Sequence, residues 1–291
     1  MVEHIGWSRK IFLLFNVILL SFSAILCILP LFHVMALSFS GSAPATAGLV
    51  TLWPVDLNFK SYVYVLNKPE FFQSMLVSFQ RIGLGVSINI LMAILIAYPL
   101  SKESSFFKGR TWYAWFFVFT MLFSGGLIPT FLTVKATGLL DSIWALVLPG
   151  AVPVFLVVLL LNFFRGIPRE LEEAALIDGA GQFTTLWRIF VPLSLPALAT
   201  ITLFAAVNHW NAWFDGFLYM NRPEHMPLQT YLRSVVIDRD TSLYNVAEYE
   251  GISDRTTIAA QVFLGALPIL LLYPFLQRYF LKGMVLGSVK G

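Results

Sequence analysis

The stretch RGIPRELEEAALIDGAGQFTTLWRIFVPLSLP, Arg165–Pro196, is a polar interruption between two long apolar blocks. Its residues spell a helix, a turn and a second short helix. Pro168 suits a first helical position, where its missing N–H costs nothing. Glu170, Glu172 and Glu173 follow in or near the first turn, where the positive end of the helix dipole favours acids. Leu171, Ala174 and Ala175 share a face at helical spacing. Gly179 then supplies a stop. A second short helix from about Gln182 runs to Pro192 and Pro196 at the foot of the next apolar block. Physics leaves two readings of the first helix: it lies in a groove of a soluble partner, or it rests on lipid headgroups. The acids argue against the second, since headgroup-bound helices are rich in Lys and Arg.

Outward from this stretch, the chain is membrane material. Of 291 residues, 58% are hydrophobic and 12% charged, against about 25% charged in a soluble domain. The mean hydropathy is +0.77. A soluble chain of this length needs more polar surface than these residues provide. A membrane-spanning helix needs about 20 apolar residues, and six blocks qualify, at roughly 11–38, 74–99, 111–133, 141–164, 194–214 and 257–281. The ten-residue alternating strands of a barrel are absent, so the fold class is an all-α membrane protein of six transmembrane helices. The whole chain, 1–291, reads as a single transmembrane domain. Arg9 and Lys10 precede the first block as they do in a signal peptide, but the block is too long for a signal h-region and lacks a small-residue cleavage site, so it reads as an uncleaved span.

Lys and Arg counts orient the spans. The outer loops carry Lys60, Lys68, Lys135, Arg222, Arg233, Arg239 and Arg255, four of them in one long loop where charge has less say in topology. The N-terminal segment, the loops after spans two and four and the C-terminal end carry Arg9, Lys10, Lys102, Lys108, Arg110, Arg165, Arg169, Arg188, Arg278, Lys282 and Lys290. By the positive-inside bias these are cytoplasmic, which puts both termini inside. The largest outer segment is about 215–255, with Asp215, Glu224, Asp238, Asp240, Glu248, Glu250 and Asp254. It reads either as a solvated cap or as a docking surface. Pro30, Pro99, Pro129, Pro149–Gly150 with Pro153, Pro268 and Pro274 interrupt the spans, as neighbouring helices or a wet cavity permit. The charge of +3 and the pI of about 9.0 match the loop bias, not the dense basic patch of a nucleic-acid binder, so no nucleic-acid partner is expected. The one cysteine, Cys27, allows no intramolecular disulfide.

With these residues placed, the chain resembles a known family. The Arg165–Pro196 stretch is similar to the EAA loop in permease subunits of binding-protein-dependent ABC importers: Glu-Ala-Ala, three residues, Gly, nine residues, Ile, one residue, Leu-Pro. Here the pattern is Glu173-Ala174-Ala175, Gly179, Ile189 and Pro192, with Val191 where Leu is usual. The form Asp178-Gly179-Ala180, with Pro192-Leu193 and Pro196, resembles the carbohydrate-uptake branch related to the maltose permease. The resemblance implies a type I importer permease fold with the EAA helix as coupling helix, docked in a cleft of an ATPase subunit. Glu173 is then a contact and Gly179 the bend. It implies two ATPase subunits, a second, homologous but different permease chain, an extracytoplasmic solute-binding protein, membrane lipid and a saccharide substrate. It places the chain in the bacterial cytoplasmic (inner) membrane. ATP and Mg belong to the partners, and no cofactor or metal is expected on this chain. The ending Lys282-Gly283 to Gly287-Ser288-Val289-Lys290-Gly291 is similar to a branch associated with larger oligosaccharides and acidic polysaccharides such as alginate.

The absences agree with that division of labour. No Gly-x4-Gly-Lys-Ser/Thr phosphate loop, zinc-protease helix or hydrolase elbow occurs, so the chain itself is not expected to be an enzyme. His4, His33, His209 and His225 are scattered and read as structural or solvated. Polar groups inside spans mark pathways by default, which nominates Arg81, Asn89, Asn208, Trp210, Asn211 and Trp213. Arg81 equally suits an interface anchor, the asparagines interhelical hydrogen bonds, and the tryptophans an interfacial belt. Two other functions compete with a sugar importer. An ABC permease for another solute shares the loop. A secondary transporter needs inverted repeats and membrane-buried acids, and neither is evident in the sequence.

Overall fold

The structure, a computed structural model, describes residues 7–103, 105–237 and 252–288, with side chains up to Leu271. Of the outer segment, Asp238, Arg239, Asp240, Glu248 and Glu250 lie outside the described residues, as does the ending Val289–Gly291. Every regular element among the described residues is helical: α1 (Trp7–Ser38), α2 (Ser42–Thr46), α3 (Lys60–Leu66), α4 (Pro69–Ser101), α5 (Arg110–Leu122), α6 (Leu127–Ala136), α7 (Ile143–Val147), α8 (Val154–Arg165), α9 (Arg169–Ile177), α10 (Gln182–Thr185), α11 (Val191–Leu193), α12 (Leu195–Asn211), α13 (Phe214–Tyr219), α14 (Leu228–Ile237) and α15 (Asp254–Ser288).

Three helices are long and apolar enough to cross a membrane alone: α1, α4 and the Asp254–Leu271 part of α15. Among the described residues the number rises to six if each of three bent pairs is one span. The bends have local causes. Gly126, at φ +93°, opens the break between α5 and α6, which meet at 108°. The 111–133 block is therefore not one straight helix, because Gly125 and Gly126 end the first run. Pro149 and Pro153 bracket the break that turns Ile143–Gly150 from α8 by 48°. Gln182–Leu193, which includes a π-helical turn at Leu186–Phe190, meets α12 at 80° around Ser194. Pro30 and Pro99 stay inside unbroken helices.

The chain divides into two compact units. In the first, Met1–Phe71 with Val235–Ala266, the end of α1 is tied down by short-range polar bonds. Ser38 Oγ and Tyr62 Oη lie 2.6 Å apart, and Phe39 stacks on Tyr62 at 4.7 Å. Val55 N–H donates to Ser40 Oγ, and Ser61 Oγ donates to Thr256 Oγ1 at 2.8 Å. The segment after α1 is thus folded rather than a simple connector. Most of α1 itself exposes Ile11, Phe12, Leu14 and Phe15, a face that water does not tolerate and that lipid or another helix does.

The second unit, Phe72–Ser234 with Leu267–Gly291, carries the main core. Ala93, Ile94 and Ala97 of α4 pack with Leu156, Val157, Leu160 and Phe164 of α8 and with Leu198, Ile201 and Ala205 of α12. The small residues let helix backbones approach closely, which is how membrane helices gain contact without a hydrophobic driving force. At about 1.5 Å per residue the 33-residue α4 is about 50 Å long. It exceeds the hydrocarbon thickness of about 30 Å, so its ends reach the interfaces.

Candidate functional site

The EAA helix is α9. Pro168, at φ −57° and ψ 134°, is its N-cap, one position before the first helical residue expected for it. Glu170 and Glu172 occupy the first turn. Gly179 ends the helix at φ +80°, a left-handed conformation that only glycine adopts without strain. Its N–H donates to Leu176 O, and Ala180 N–H reaches back to Ala175 O at 2.9 Å, the Schellman pattern that satisfies orphan carbonyls. Of the apolar face, Ala175 is buried while Leu171, Ala174, Leu176 and Ile177 are exposed. Ile177 is 85% exposed and Phe183, on α10, 72%. Asp178 and Pro192 are exposed, and Ala180 and Ile189 half-buried.

Two neighbouring glutamates have different surroundings. Glu172 accepts from Lys102 Nζ at 2.5 Å. That ammonium also sits 4.0 Å from the Tyr98 ring and 4.2 Å from the Phe190 ring. Burial lowers the Lys102 pKa, and Glu172 partly restores it. Tyr98 Oη donates to Gln182 Oε1 at 2.7 Å, so α4 holds α9 and α10 together. Glu173, one residue on, is exposed and makes no hydrogen bond or ion pair among the described residues. The α9 helix is therefore fixed by Glu172 and presents Glu173 with Ala174 outward.

About 30 Å along the same unit, measured as the rise from Lys102 back to Arg81, the structure brings several pathway candidates together. Arg81 is 3% exposed. Its guanidinium donates to Asp215 through two nitrogens, Nη1 to Oδ1 at 3.1 Å and Nη2 to Oδ2, and Nη1 also reaches Ala212 O at 3.2 Å. Nε faces His209 Nδ1 at 3.5 Å. His209 Nε2 lies 2.9 Å from Asn89 Oδ1. Asn89 Nδ2 donates to Gly150 O at 2.8 Å and Ala151 O at 3.1 Å. The chain of bonds links α4, the break before α8 and the end of α12. Asn89 satisfies carbonyls that the Pro149–Pro153 break sets free. Gly85 makes room for it, since a Cβ there falls 2.5 Å from the His209 ring.

The other candidates stand apart from this network. Asn208 and Asn211 are exposed. Trp210 is 3% exposed and packs on Phe79 at 5.6 Å, a core position rather than an interfacial belt. Trp213 is partly exposed, and the Arg233 guanidinium lies 4.8 Å over its ring.

Sequence reasoning missed His209, taken as scattered, and Asp215, counted only as a loop acid. Charge balance was the available signal: a buried arginine needs an acid, and Asp215 adjoins the span end. It also missed Asp141, which sits at φ 60° just before α7. Its Oδ1 accepts from Asn221 N at 3.0 Å and Arg222 N at 3.2 Å, while Arg222 Nε and His225 Nδ1 pair with it. Burial pushes its pKa up, but those donors and His225 more than offset this and hold the carboxyl below 3.8. Among the described residues, no group of three or more His, Cys, Asp or Glu side chains could hold a metal ion.

Comparison with known proteins is decisive on family. No protein-family model matches the chain. The polygalacturonan/rhamnogalacturonan transport system permease protein YtcP of Bacillus subtilis is 41% identical over 92% of this chain and 94% of its own length. Protein LplC of Bacillus subtilis is 40% identical over 99% and 98%. In a crystal structure of a bacterial ABC transporter involved in the import of the acidic polysaccharide alginate, one chain superposes with a TM-score of 0.88 at 33% identity. The match covers 94% of this chain and 98% of that one. The loop pattern, the six-span helical layout and these relatives agree: the chain belongs to the multi-pass permease subunits of binding-protein-dependent ABC sugar importers.

Proposed function

We propose that this chain forms half of the translocation pathway of an ATP-driven importer for acidic oligo- or polysaccharides in the bacterial cytoplasmic membrane, with both termini inside. One permease domain spans 1–291 and pairs with a second, related permease. Two ATPase subunits bind ATP and Mg, and an extracytoplasmic binding protein delivers the sugar. The observation that carries the reading is α9: a helix anchored through Glu172 that presents unpartnered Glu173 and Ala174 outward beside exposed apolar Ile177 and Phe183. Such a surface fits a cleft in a soluble partner. In this role Glu173, Ala174, Ala175, Asp178, Gly179, Ala180, Ile189 and Pro192 form the coupling element. ATPase closure moves it and switches the helices between two states as rigid bodies.

Two relatives support the acidic-sugar reading by the substrates in their names. Within this chain, Arg81 is saturated by Asp215, so it contributes positioning within the pathway wall. Arg233 has no carboxylate partner among the described residues and stacks on partly exposed Trp213. A cation on an aromatic face suits a uronate ring, which presents an apolar face and a carboxylate. Asn89, Asn208, Trp210 and Asn211 belong to the wall or its rim.

The test is ATP hydrolysis by the complex purified with its partners, in lipid, with its binding protein and a panel of acidic and neutral saccharides. Stimulation by the acidic class is the expected result. Stimulation only by neutral sugars removes the acidic assignment, and stimulation only by a non-sugar solute removes the carbohydrate one.

A further inference from the structure

At the α9 end of the second unit two cavities adjoin. One is polar, about 530 Å³, and is lined by Lys102, Arg110, Arg165, Arg169 and three glutamates among others. The other is apolar, about 410 Å³, and is lined by Leu95, Tyr98, Pro99, Phe107, Phe183 and Leu186. They share Lys102, Phe106 and Glu172 and so form one amphipathic depression.

The charges in the polar part do not balance. Lys102 is matched by Glu172, and Arg169 by Glu103. Glu173 remains as one acid. Against it stand Arg110 and Arg165, neither paired with a carboxylate among the described residues. Each makes a single bond to a carbonyl at the end of α4: Arg110 Nη1 to Lys102 O at 3.0 Å, and Arg165 Nη2 to Leu100 O at 3.4 Å. Capping the negative end of α4 accounts for one donor on each guanidinium; the other donors are left over. Arg110 opens α5 and Arg165 closes α8, so both stand where a span meets the interface.

We propose that this depression binds an anionic glycerophospholipid, its phosphate held by Arg110 and Arg165 and one acyl chain lying in the groove from Leu95 to Leu186. A phosphate matches the fork of a guanidinium, and basic pockets at the ends of membrane helices take such headgroups. The groove runs from Lys102 back along α4 toward the hydrocarbon, the direction an acyl chain takes from its headgroup. The inference needs these helices to span a bilayer; its site adjoins the proposed coupling surface and shares Glu173 and Phe183 with it, while Arg110, Arg165 and Leu95 lie outside that surface.

The intact transporter is incorporated into vesicles of equimolar phosphatidylcholine and phosphatidylglycerol and extracted in mild detergent, and its retained lipid is read by native mass spectrometry. Phosphatidylglycerol is expected to be retained in preference. R110Q/R165Q lowers that preference on the order of tenfold, R110K/R165K lowers it less because the charge stays while the fork is lost, and I177A, on the coupling surface but lining neither cavity, leaves it intact. L95W, which fills the groove, lowers retention with the arginines untouched. Equal retention of the two lipids by the wild type, an unchanged preference in R110Q/R165Q, or equal loss in the Gln and Lys variants overturns the proposal. Saturation by soluble glycerol phosphate with no lipid retained assigns the arginines to a free phosphate and also overturns it.

Discussion

Arg81 and Asp215, 134 residues apart in sequence, form a two-pronged ion pair that ties the first half of α4 to the segment just beyond α12. The arginine is buried and its partner more open, at 3% and 28% exposed. Removing one member of a buried pair strands the other charge, which costs about 3–5 kcal/mol, whereas removing both costs far less. Asp215→Ala, which strands the buried guanidinium, is therefore expected to lower the thermal unfolding midpoint strongly, and R81A/D215A to recover much of the loss. Additive single-variant effects in that double-mutant cycle contradict the pairing.

Two glycines one turn apart or less on α4 respond differently. Gly83 has open space where a Cβ goes, and Gly85 meets the His209 ring. Gly83→Ala is expected to stabilise by up to about 1 kcal/mol through helix propensity. Gly85→Ala is expected to destabilise by about 1–3 kcal/mol by overpacking against the polar chain of Arg81, His209 and Asn89. Equal effects in a detergent melt run against the close approach.

Asp141→Ala takes the shared acceptor from the exposed N–H groups of Asn221 and Arg222, at an expected cost of about 0.5–1.5 kcal/mol. The carboxyl titrates below 3.8 in the folded chain, so the folded form holds its proton less readily than the unfolded one. Its stabilisation is complete above about that pH and is lost as pH falls through the lower folded value. The wild type and the variant should converge in stability only in that acid range. Convergence near neutral pH shows another group at work.

Arg233→Ala should raise the concentration of acidic saccharide that half-stimulates ATP hydrolysis by about tenfold, the worth of one charge-assisted hydrogen bond. A neutral saccharide of equal length, if it stimulates at all, should be unaffected. Equal shifts for both sugars mean that Arg233 acts on the fold.

Much of the architecture was legible because its signals are local. Hydropathy alone marks α1, α4 and α15, and Pro, Glu and Gly positions mark α9 and its Gly179 stop. Less legible was what depends on distance in sequence. The Gly125–Gly126 break looks like ordinary small residues inside an apolar block, yet it bends α5 from α6 by 108°. The partners of Arg81 lie more than a hundred residues away, and no periodicity links Arg81 to Asp215 or Asn89 to His209. Glu172 and Glu173 look interchangeable in sequence. Lys102, which approaches from α4, makes one an anchor and leaves the other free.

α9 is the surface proposed to meet the ATPase. The sharpest measurement is cross-linking in native membranes with the single cysteine moved: Cys27→Ser combined with Ala174→Cys, and separately with Leu49→Cys in the other unit as a control. The prediction is a covalent species of permease with ATPase subunit from position 174 and none from position 49. Substrate-stimulated ATP hydrolysis should be lost when that link forms. Full substrate-stimulated hydrolysis with no link from position 174, under conditions that link other contact pairs, contradicts the assignment of α9 as the coupling helix.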